Sequence, residues 1–129
     1  ITSSFFQVHN TLQSVTMQNF PALTNIEDFF LSECTGLTKV FLTLPQLTNI
    51  DPFFLSGCTN LTELHLKNLT ALESIGNWFL DECTSLTELY LNLSSVKHIG
   101  DNFLYECTSL TELYLNIPSV KTIKKTVLS

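Results

Sequence analysis

The chain has 129 residues, of which 44% are hydrophobic, and a net charge of −6 at neutral pH. All six basic residues are lysines. Nucleic-acid binding and docking on anionic lipid headgroups both need clustered positive charge, so neither is expected. No run of about eighteen apolar residues is present to insert into a membrane. No basic start followed by an apolar run marks a signal peptide either.

In chain order, the sequence divides into copies of one repeat. A partial copy over 1–22 comes first, full copies follow over 23–46, 47–71, 72–95 and 96–119, and a second partial copy spans 120–129. The full copies read LTNIEDFFLSECTGLTKVFLTLPQ, LTNIDPFFLSGCTNLTELHLKNLTA, LESIGNWFLDECTSLTELYLNLSS and VKHIGDNFLYECTSLTELYLNIPS. Because nothing between the copies resembles a linker, we predict one domain over 1–129.

The first half of each copy, typified by IGDNFLYEC, is predicted to return the chain on the convex side. Asp51 followed by Pro52 is a good helix start, with an acceptor side chain at the N-cap and Pro at the first helical position. The segment is long enough for about one or two turns of α or 3₁₀ helix. One isoleucine and one phenylalanine per copy, such as Ile50 and Phe54, are expected in the core.

The second half of each copy, typified by LTELYL, is predicted to form a short strand. Leu86, Leu89 and Leu91 alternate with Glu88 and Tyr90, which is the period of a strand with one apolar face. A single copy has nothing to bury that face against, so the copies must stack and pair their strands in parallel. The predicted fold is therefore an α/β solenoid, with a parallel β-sheet on its concave face and short α or 3₁₀ turns on its convex side.

The recurring pattern I-G-x-x-F-L-x-x-C-T-x-L-T-x-L-x-L-x-x-P/S resembles the BspA-like leucine-rich repeats over essentially the whole chain. That family is found mainly in surface and secreted proteins of bacteria and protists. The resemblance implies adhesion or recognition at a cell surface or after secretion, without naming a ligand.

One cysteine recurs per full copy, at Cys34, Cys58, Cys83 and Cys107. Equivalent positions in stacked coils have parallel Cβ vectors about 5 Å apart, whereas a disulfide needs Cβ atoms nearer 3.8 Å that point toward each other. Four ligands in a line also cannot make a tetrahedral zinc site. We therefore predict a column of buried free thiols.

The outward strand positions form the candidate binding surface. They make an aromatic row, an acidic row and a mixed polar row on the concave face, where solenoids commonly hold partners. The aromatic row is Phe41, His65, Tyr90 and Tyr114. The acidic row is Glu63, Glu88 and Glu112, and the mixed polar row is Lys67, Asn92 and Asn116. A protein segment carrying Lys or Arg would suit these rows, and so would a carbohydrate stacked on the rings.

Each row also has an explanation that involves no ligand. Aromatic pairs across strands stabilise a sheet by about 0.2–1 kcal/mol each, so the rings could serve the fold alone. Stacked like charges cost stability, which favours a binding role for the glutamates. Recent duplication of the repeat would also keep the rows uniform.

Catalysis and metal binding have little support in the sequence. No Ser–His–Asp order and no Gly-rich phosphate loop occurs, so we predict a protein that is not an enzyme and needs no cofactor. Glu63, His65, Glu88 and Tyr90 face the same way, but exposed sheet residues rarely converge on one point. No metal site is predicted.

Two further expectations concern modification and assembly. Asn68 and Asn92 lie in N-x-S/T sequons just past a strand and are candidate glycosylation sites. Both ends of the sequence break off inside a repeat, so we expect an excerpt of a longer array or end-to-end contact between copies. The alternative functions are thus a structural protein that assembles into a filament or coat, and an intracellular scaffold.

Overall fold

The computed structural model describes residues 11–117 and 122–123, which form a solenoid of parallel strands. Each coil contributes one longer strand to the face that the sequence predicts to be concave, called here the long-strand face. These strands are β1 (Ser14–Met17), β3 (Lys39–Thr43), β5 (Glu63–Lys67), β7 (Glu88–Asn92) and β9 (Glu112–Asn116). Partners in neighbouring coils are equivalent residues of the repeat, as in Phe41 opposite His65 and Tyr90 opposite Tyr114. The predicted stacking is confirmed.

A second parallel sheet runs behind the first and was not predicted from the sequence. Its two-residue strands pair in chain order, each with its equivalent in the next coil. They are β2 (Asn25–Ile26), β4 (Asn49–Ile50), β6 (Ser74–Ile75), β8 (His98–Ile99) and β10 (Thr122–Ile123). The isoleucines of β2 to β8 are buried, as expected, and this continuous sheet ties the coils together on their second side.

The prediction of α or 3₁₀ turns on the convex side is wrong, because the described residues contain no helix. Residues with φ near +60° alternate along each return segment, as at Phe53, Leu55 and Gly57, whereas a helix needs consecutive residues near −63°. The backbone bonds to neighbouring coils instead: the Phe53 amide donates to the Asn77 carbonyl (2.9 Å) and the Leu55 amide to the Phe30 carbonyl (2.9 Å). Asp51 and Pro52 therefore start a turn, and the fold is a β-solenoid.

The core is built from columns of equivalent side chains, as the repeat predicts. The rings of Phe30, Phe54, Phe79 and Phe103 stack, with centroids 5.7, 5.3 and 5.1 Å apart in successive pairs. All four are at most 1% exposed. Burying a phenylalanine side chain stabilises a fold by about 1.5–3 kcal/mol, so this column is a main support of the stack.

None of the four cysteines is joined in a disulfide, and three of them are fully buried while Cys107 is half-buried. Each later thiol donates to a carbonyl of the preceding coil: Cys58 to Leu31 (3.1 Å), Cys83 to Leu55 (3.3 Å) and Cys107 to Leu80 (3.0 Å). Burial raises the pKa of the Cys58 thiol to about 12 and that of Cys107 to about 11. The predicted buried thiol column is confirmed.

Much of the two partial copies lies outside the described residues, which leave out 1–10, 118–121 and 124–129. The boundaries given to those copies and the expected end-to-end contacts therefore stay predictions.

Candidate functional site

The long-strand face is divided into two sheets between β5 and β7. Strands β1, β3 and β5 form one ladder, and β7 and β9 form another. Across the described residues, no backbone hydrogen bond joins β5 to β7. Behind this gap β4 and β6 stay paired, with Asn49 opposite Ser74 and Ile50 opposite Ile75. The gap is thus a wedge that opens on one face of an otherwise continuous stack.

The peptide groups that face the gap can be assigned from the intact ladders. In a parallel sheet, alternate residues of a strand bond to opposite neighbours. The Glu63 amide donates to the Thr38 carbonyl (3.1 Å), so the peptide groups of Glu63, His65 and Lys67 face β3. The peptide groups of Leu64 and Leu66 therefore face β7. On the other wall, the Glu112 amide donates to Thr87 (3.1 Å), so the peptide groups of Glu88 and Tyr90 face β5.

A groove of about 270 Å³ lies over this gap, and we call it the β5–β7 groove. Its lining side chains from the predicted binding rows are Glu63, His65, Lys67, Glu88 and Tyr90. Leu64 and Leu66 also line it. Leu66 is partly exposed, whereas its counterparts Leu42 and Leu91 are 2% and 0% exposed. The opening therefore reaches down to the apolar core.

The spacing of the strands does not by itself explain the gap. Glu63 and Glu88 are 25 positions apart, against 24 for the next pair. Ser14 and Lys39 are also 25 apart, yet β1 and β3 pair in register. Both long links contain an asparagine with positive φ, at Asn19 (64°) and Asn68 (59°). The left-handed conformation of these asparagines accommodates the extra residue of each link. A 25-residue spacing therefore does not by itself require the sheet to open.

The aromatic row is divided at the same place. The rings of Phe41 and His65 stack, with centroids 4.8 Å apart and planes 5° from parallel. No ring contact joins His65 to Tyr90 within the described part of the chain. On the far side Tyr90 and Tyr114 are register partners, 57% and 55% exposed. The groove thus has His65 on one wall and Tyr90 on the other, while Phe41 and Tyr114 lie one strand away.

The three glutamates of the acidic row have different surroundings. Glu63 pairs with Lys39 (Nζ–Oε1 3.6 Å) and approaches His65 (Nε2–Oε2 3.7 Å). Glu112 accepts a hydrogen bond from the Tyr90 hydroxyl at 2.8 Å. Glu88 has no hydrogen bond or ion pair with any described residue. The groove therefore holds one carboxylate that makes no ion pair with a described residue.

The bond to Glu112 also affects the titration of Tyr90. The carboxylate accepts the phenolic proton's hydrogen bond, and its charge opposes the phenolate, so the pKa of Tyr90 is raised. Tyr90 is consequently a neutral donor directed at the next strand, and its ring borders the groove.

The mixed row places only Lys67 in the groove. Asn92 and Asn116 pair through their side chains, with Nδ2 of Asn116 donating to Oδ1 of Asn92 at 3.1 Å. Asn92 also lines a smaller cavity of about 120 Å³ together with Asn68. Both sequon asparagines are exposed, and their glycosylation stays a prediction. Among the described residues, no three His, Cys, Asp or Glu side chains converge in a way that could hold a metal ion.

Two polar features were missed from the sequence. Asn25, Asn49, Asp51 and Ser74 form a side-chain network along the second sheet. Its only signal is that polar residues precede the core isoleucine in successive copies. Asp81 is 4% exposed and its Oδ1 has no hydrogen-bond partner. The sequence signal for it is weak, since the equivalent positions hold two small polar residues, Ser32 and Ser56, but also Tyr105.

Comparison with known proteins bears on the repeat itself. No curated protein and no solved structure is significantly similar to the chain. A family model for the BspA type leucine-rich repeat region matches residues 1–129 in six copies. Since that match covers the whole chain, the protein belongs to the BspA-type leucine-rich repeat family.

Proposed function

We propose that the chain is a recognition or adhesion module that binds a protein or carbohydrate ligand on its long-strand face, in the β5–β7 groove. The observation that carries the proposal is the divided sheet. Five of the ten predicted binding side chains line the opening, and the remaining five lie on neighbouring strands or just past it. The groove gives the face a defined site where a regular sheet would have none.

The family supports the general part of this proposal. Leucine-rich repeat proteins of this type are often used in binding or adhesion, are generally not enzymes, and are typically found at the cell surface or secreted. In the described residues, no helix is long and apolar enough to cross a membrane. We propose surface or secreted placement for this chain on the strength of the family alone.

The chemistry of the groove suits a ligand with both polar and apolar parts. Its floor exposes Leu66, its walls present peptide groups that make no bond across the gap, and Tyr90 supplies a ring at the rim. Tyrosine is enriched among the residues that dominate binding energy, because its ring buries apolar area while its hydroxyl stays polar.

The experiment that tests the proposal screens the purified chain on peptide and glycan arrays and then measures hits with two variants. Tyr90→Ala removes a ring at the groove, and Tyr114→Ala removes an equally exposed ring one strand away. We expect Tyr90→Ala to weaken a hit about tenfold or more, and Tyr114→Ala to have a much smaller effect. Equal sensitivity to both variants, or no hit on either array, would contradict the groove as the site.

A further inference from the structure

The gap between β5 and β7 is wider than the spacing of a paired sheet and too narrow for a further strand. Paired strands lie about 4.8 Å apart, so a segment bonded to both walls would need them about 9.6 Å apart. The Cα atoms of β5 and β7 come within 8 Å of each other, and β4 and β6 stay paired behind them. The gap therefore accommodates one layer of side-chain atoms, and the backbone of a bound protein must lie outside it.

Two rings border the gap, one on each wall. Phe41 stacks on one face of the His65 ring, with centroids 4.8 Å apart and planes 5° from parallel, so the other face of His65 is turned toward β7. Tyr90 is the equivalent residue of β7, and it is 57% exposed. A flat group in van der Waals contact with both rings needs them about 7–8 Å apart. That width agrees with two strands that lie close together without pairing.

Both rings are held by contacts on the side away from the gap. The Phe41 ring supports His65, and the Tyr90 hydroxyl donates to Oε2 of Glu112 at 2.8 Å. A ligand that enters between the two rings therefore has little side-chain freedom left to restrict, which lowers the entropic cost of binding.

Charge selects the kind of flat group. Glu63 and Glu88 line the groove two residues before the rings, about 6.6 Å back along their strands. Glu63 pairs with Lys39, whereas Glu88 makes no ion pair with a described residue. Lys67 lies two residues beyond His65, at the end of the groove away from Glu88. A flat neutral group would leave the Glu88 carboxylate unpaired, so a flat cation matches the site better.

The size of the groove agrees with a single side chain as the occupant. Its volume of about 270 Å³ is below the usual range of ligand pockets, which is about 300–1,000 Å³. Arginine is the flat side chain that is always cationic. Its guanidinium stacks on aromatic rings and donates two parallel hydrogen bonds to a carboxylate, which the ammonium group of lysine cannot do.

We propose that the β5–β7 groove binds an arginine side chain of a protein partner, with the guanidinium held between the rings of His65 and Tyr90 and paired with Glu88. The backbone of the partner lies over the long-strand face, outside the gap. The inference rests on the proposed function and adds the class of partner and the group that enters the groove.

The test titrates the full chain at low salt with capped Gly-Arg-Gly and with twins that carry citrulline or lysine. Citrulline keeps the flat shape and removes the charge, whereas lysine keeps the charge and removes the flat shape. NMR of the protein should show the arginine peptide binding about tenfold more tightly than either twin. Glu88→Gln should remove the preference over citrulline. Glu73→Gln, an equal change of charge at an exposed residue that does not line the groove, should leave that preference intact.

Placement between two rings has its own readout. Rings on both sides of the guanidinium shift the δ-methylene proton resonances of the bound arginine upfield. We expect His65→Ala and Tyr90→Ala each to reduce that shift and to weaken binding about threefold or more. Tyr114→Ala removes an equally exposed ring one strand away and should change neither. Equal binding of the three peptides, indifference to Glu88→Gln, or a full shift after loss of either ring would overturn the inference.

Failure of the inference can be told apart from failure of the proposed function. A glycan that binds with the Tyr90→Ala sensitivity described above, while the arginine peptide shows no saturable binding, would overturn the arginine site and leave the recognition module standing. Each variant is first compared with the parent by circular dichroism and thermal unfolding, so that loss of binding is not mistaken for loss of fold.

Discussion

The Tyr90 hydroxyl donates to Oε2 of Glu112 at 2.8 Å, joining the rim of the groove to the neighbouring strand. The bond and the carboxylate charge both raise the pKa of Tyr90. Replacing Glu112 by Gln removes the charge, so we expect the pKa of Tyr90 to fall toward its ordinary value. NMR titration of ring-labelled tyrosine measures this, with Glu106→Gln as a control because it acts on Tyr105 instead. An unchanged Tyr90 titration in Glu112→Gln would show that the bond is not made in solution.

Asp81 is expected to destabilise the fold at neutral pH. Burial is the main cause of its raised pKa, and a hydrogen bond from Ser56 only partly opposes it. A carboxyl whose folded pKa lies above its unfolded value contributes stability at low pH, and that contribution is lost as pH rises through the folded pKa. Asp81→Ser, which copies the residue at Ser32 and Ser56, should therefore raise the free energy of unfolding by about 1–3 kcal/mol at pH 7.

Urea unfolding at several pH values checks this prediction. The difference between Asp81→Ser and the parent should shrink toward zero or change sign as the pH falls to about 3, near the unfolded pKa of an aspartate. Glu73→Ser removes an exposed carboxylate that does not act on Asp81 and should show little effect. A stabilisation that is equal at all pH values would point to a cause other than the buried charge.

The thiols should react in an order set by burial. The thiolate is the nucleophile, and burial raises the pKa of Cys58 to about 12, raises that of Cys83 strongly, and raises that of Cys107 to about 11. Cys107 is also the only one of the four that is half-buried. We expect a maleimide to label it first in the native protein, and the other three only on unfolding. Mass spectrometry of digests identifies the labelled site, and early labelling of Cys83 would contradict the buried column.

Two leucines of one core column should differ in their contribution to stability. Leu91 is 0% exposed, so Leu91→Ala should cost about 2–5 kcal/mol of unfolding free energy. Leu66 occupies the same place in its coil but lies partly open to the groove, so Leu66→Ala removes less buried surface. We expect the second variant to cost clearly less in urea unfolding. Equal costs would indicate that β5 and β7 close together in solution.

The sequence predicts the stacking well because each core column repeats at nearly constant spacing. Leu37, Leu61 and Leu86 have no way to be buried except against each other, so their periodicity determines the long-strand face. The cysteine column follows from the same geometry, since stacked equivalents cannot turn toward one another to form disulfides.

The convex side could not be predicted from local signals. Asp51 and Pro52 suggest a helix start, but hydrogen bonds to the neighbouring coils replace those within a helix, as in the bond from the Phe53 amide to Asn77. The second sheet was missed because two residues, such as Asn49 and Ile50, are too few to show a period.

The candidate site was only partly predictable. The outward rows were identified because they alternate with buried leucines, but their division was not. The 25-residue spacing at Glu63 recurs at Ser14, where the ladder is intact, so length carries no signal of the gap. Whether adjacent strands bond depends on the relative placement of their two backbones, and the side-chain pattern of a repeat does not report that placement.

Hydrogen exchange of the free chain shows whether β5 and β7 are unpaired in solution. Leu64 and Leu66 in β5 are the equivalents of Val40 and Leu42 in β3. The amides of Val40 and Leu42 face β5, which is paired with β3. Exchange followed by NMR should therefore be at least tenfold faster at Leu64 and Leu66 than at Val40 and Leu42. Equal protection at all four amides would mean that the ladder is continuous and that the β5–β7 groove does not exist in solution.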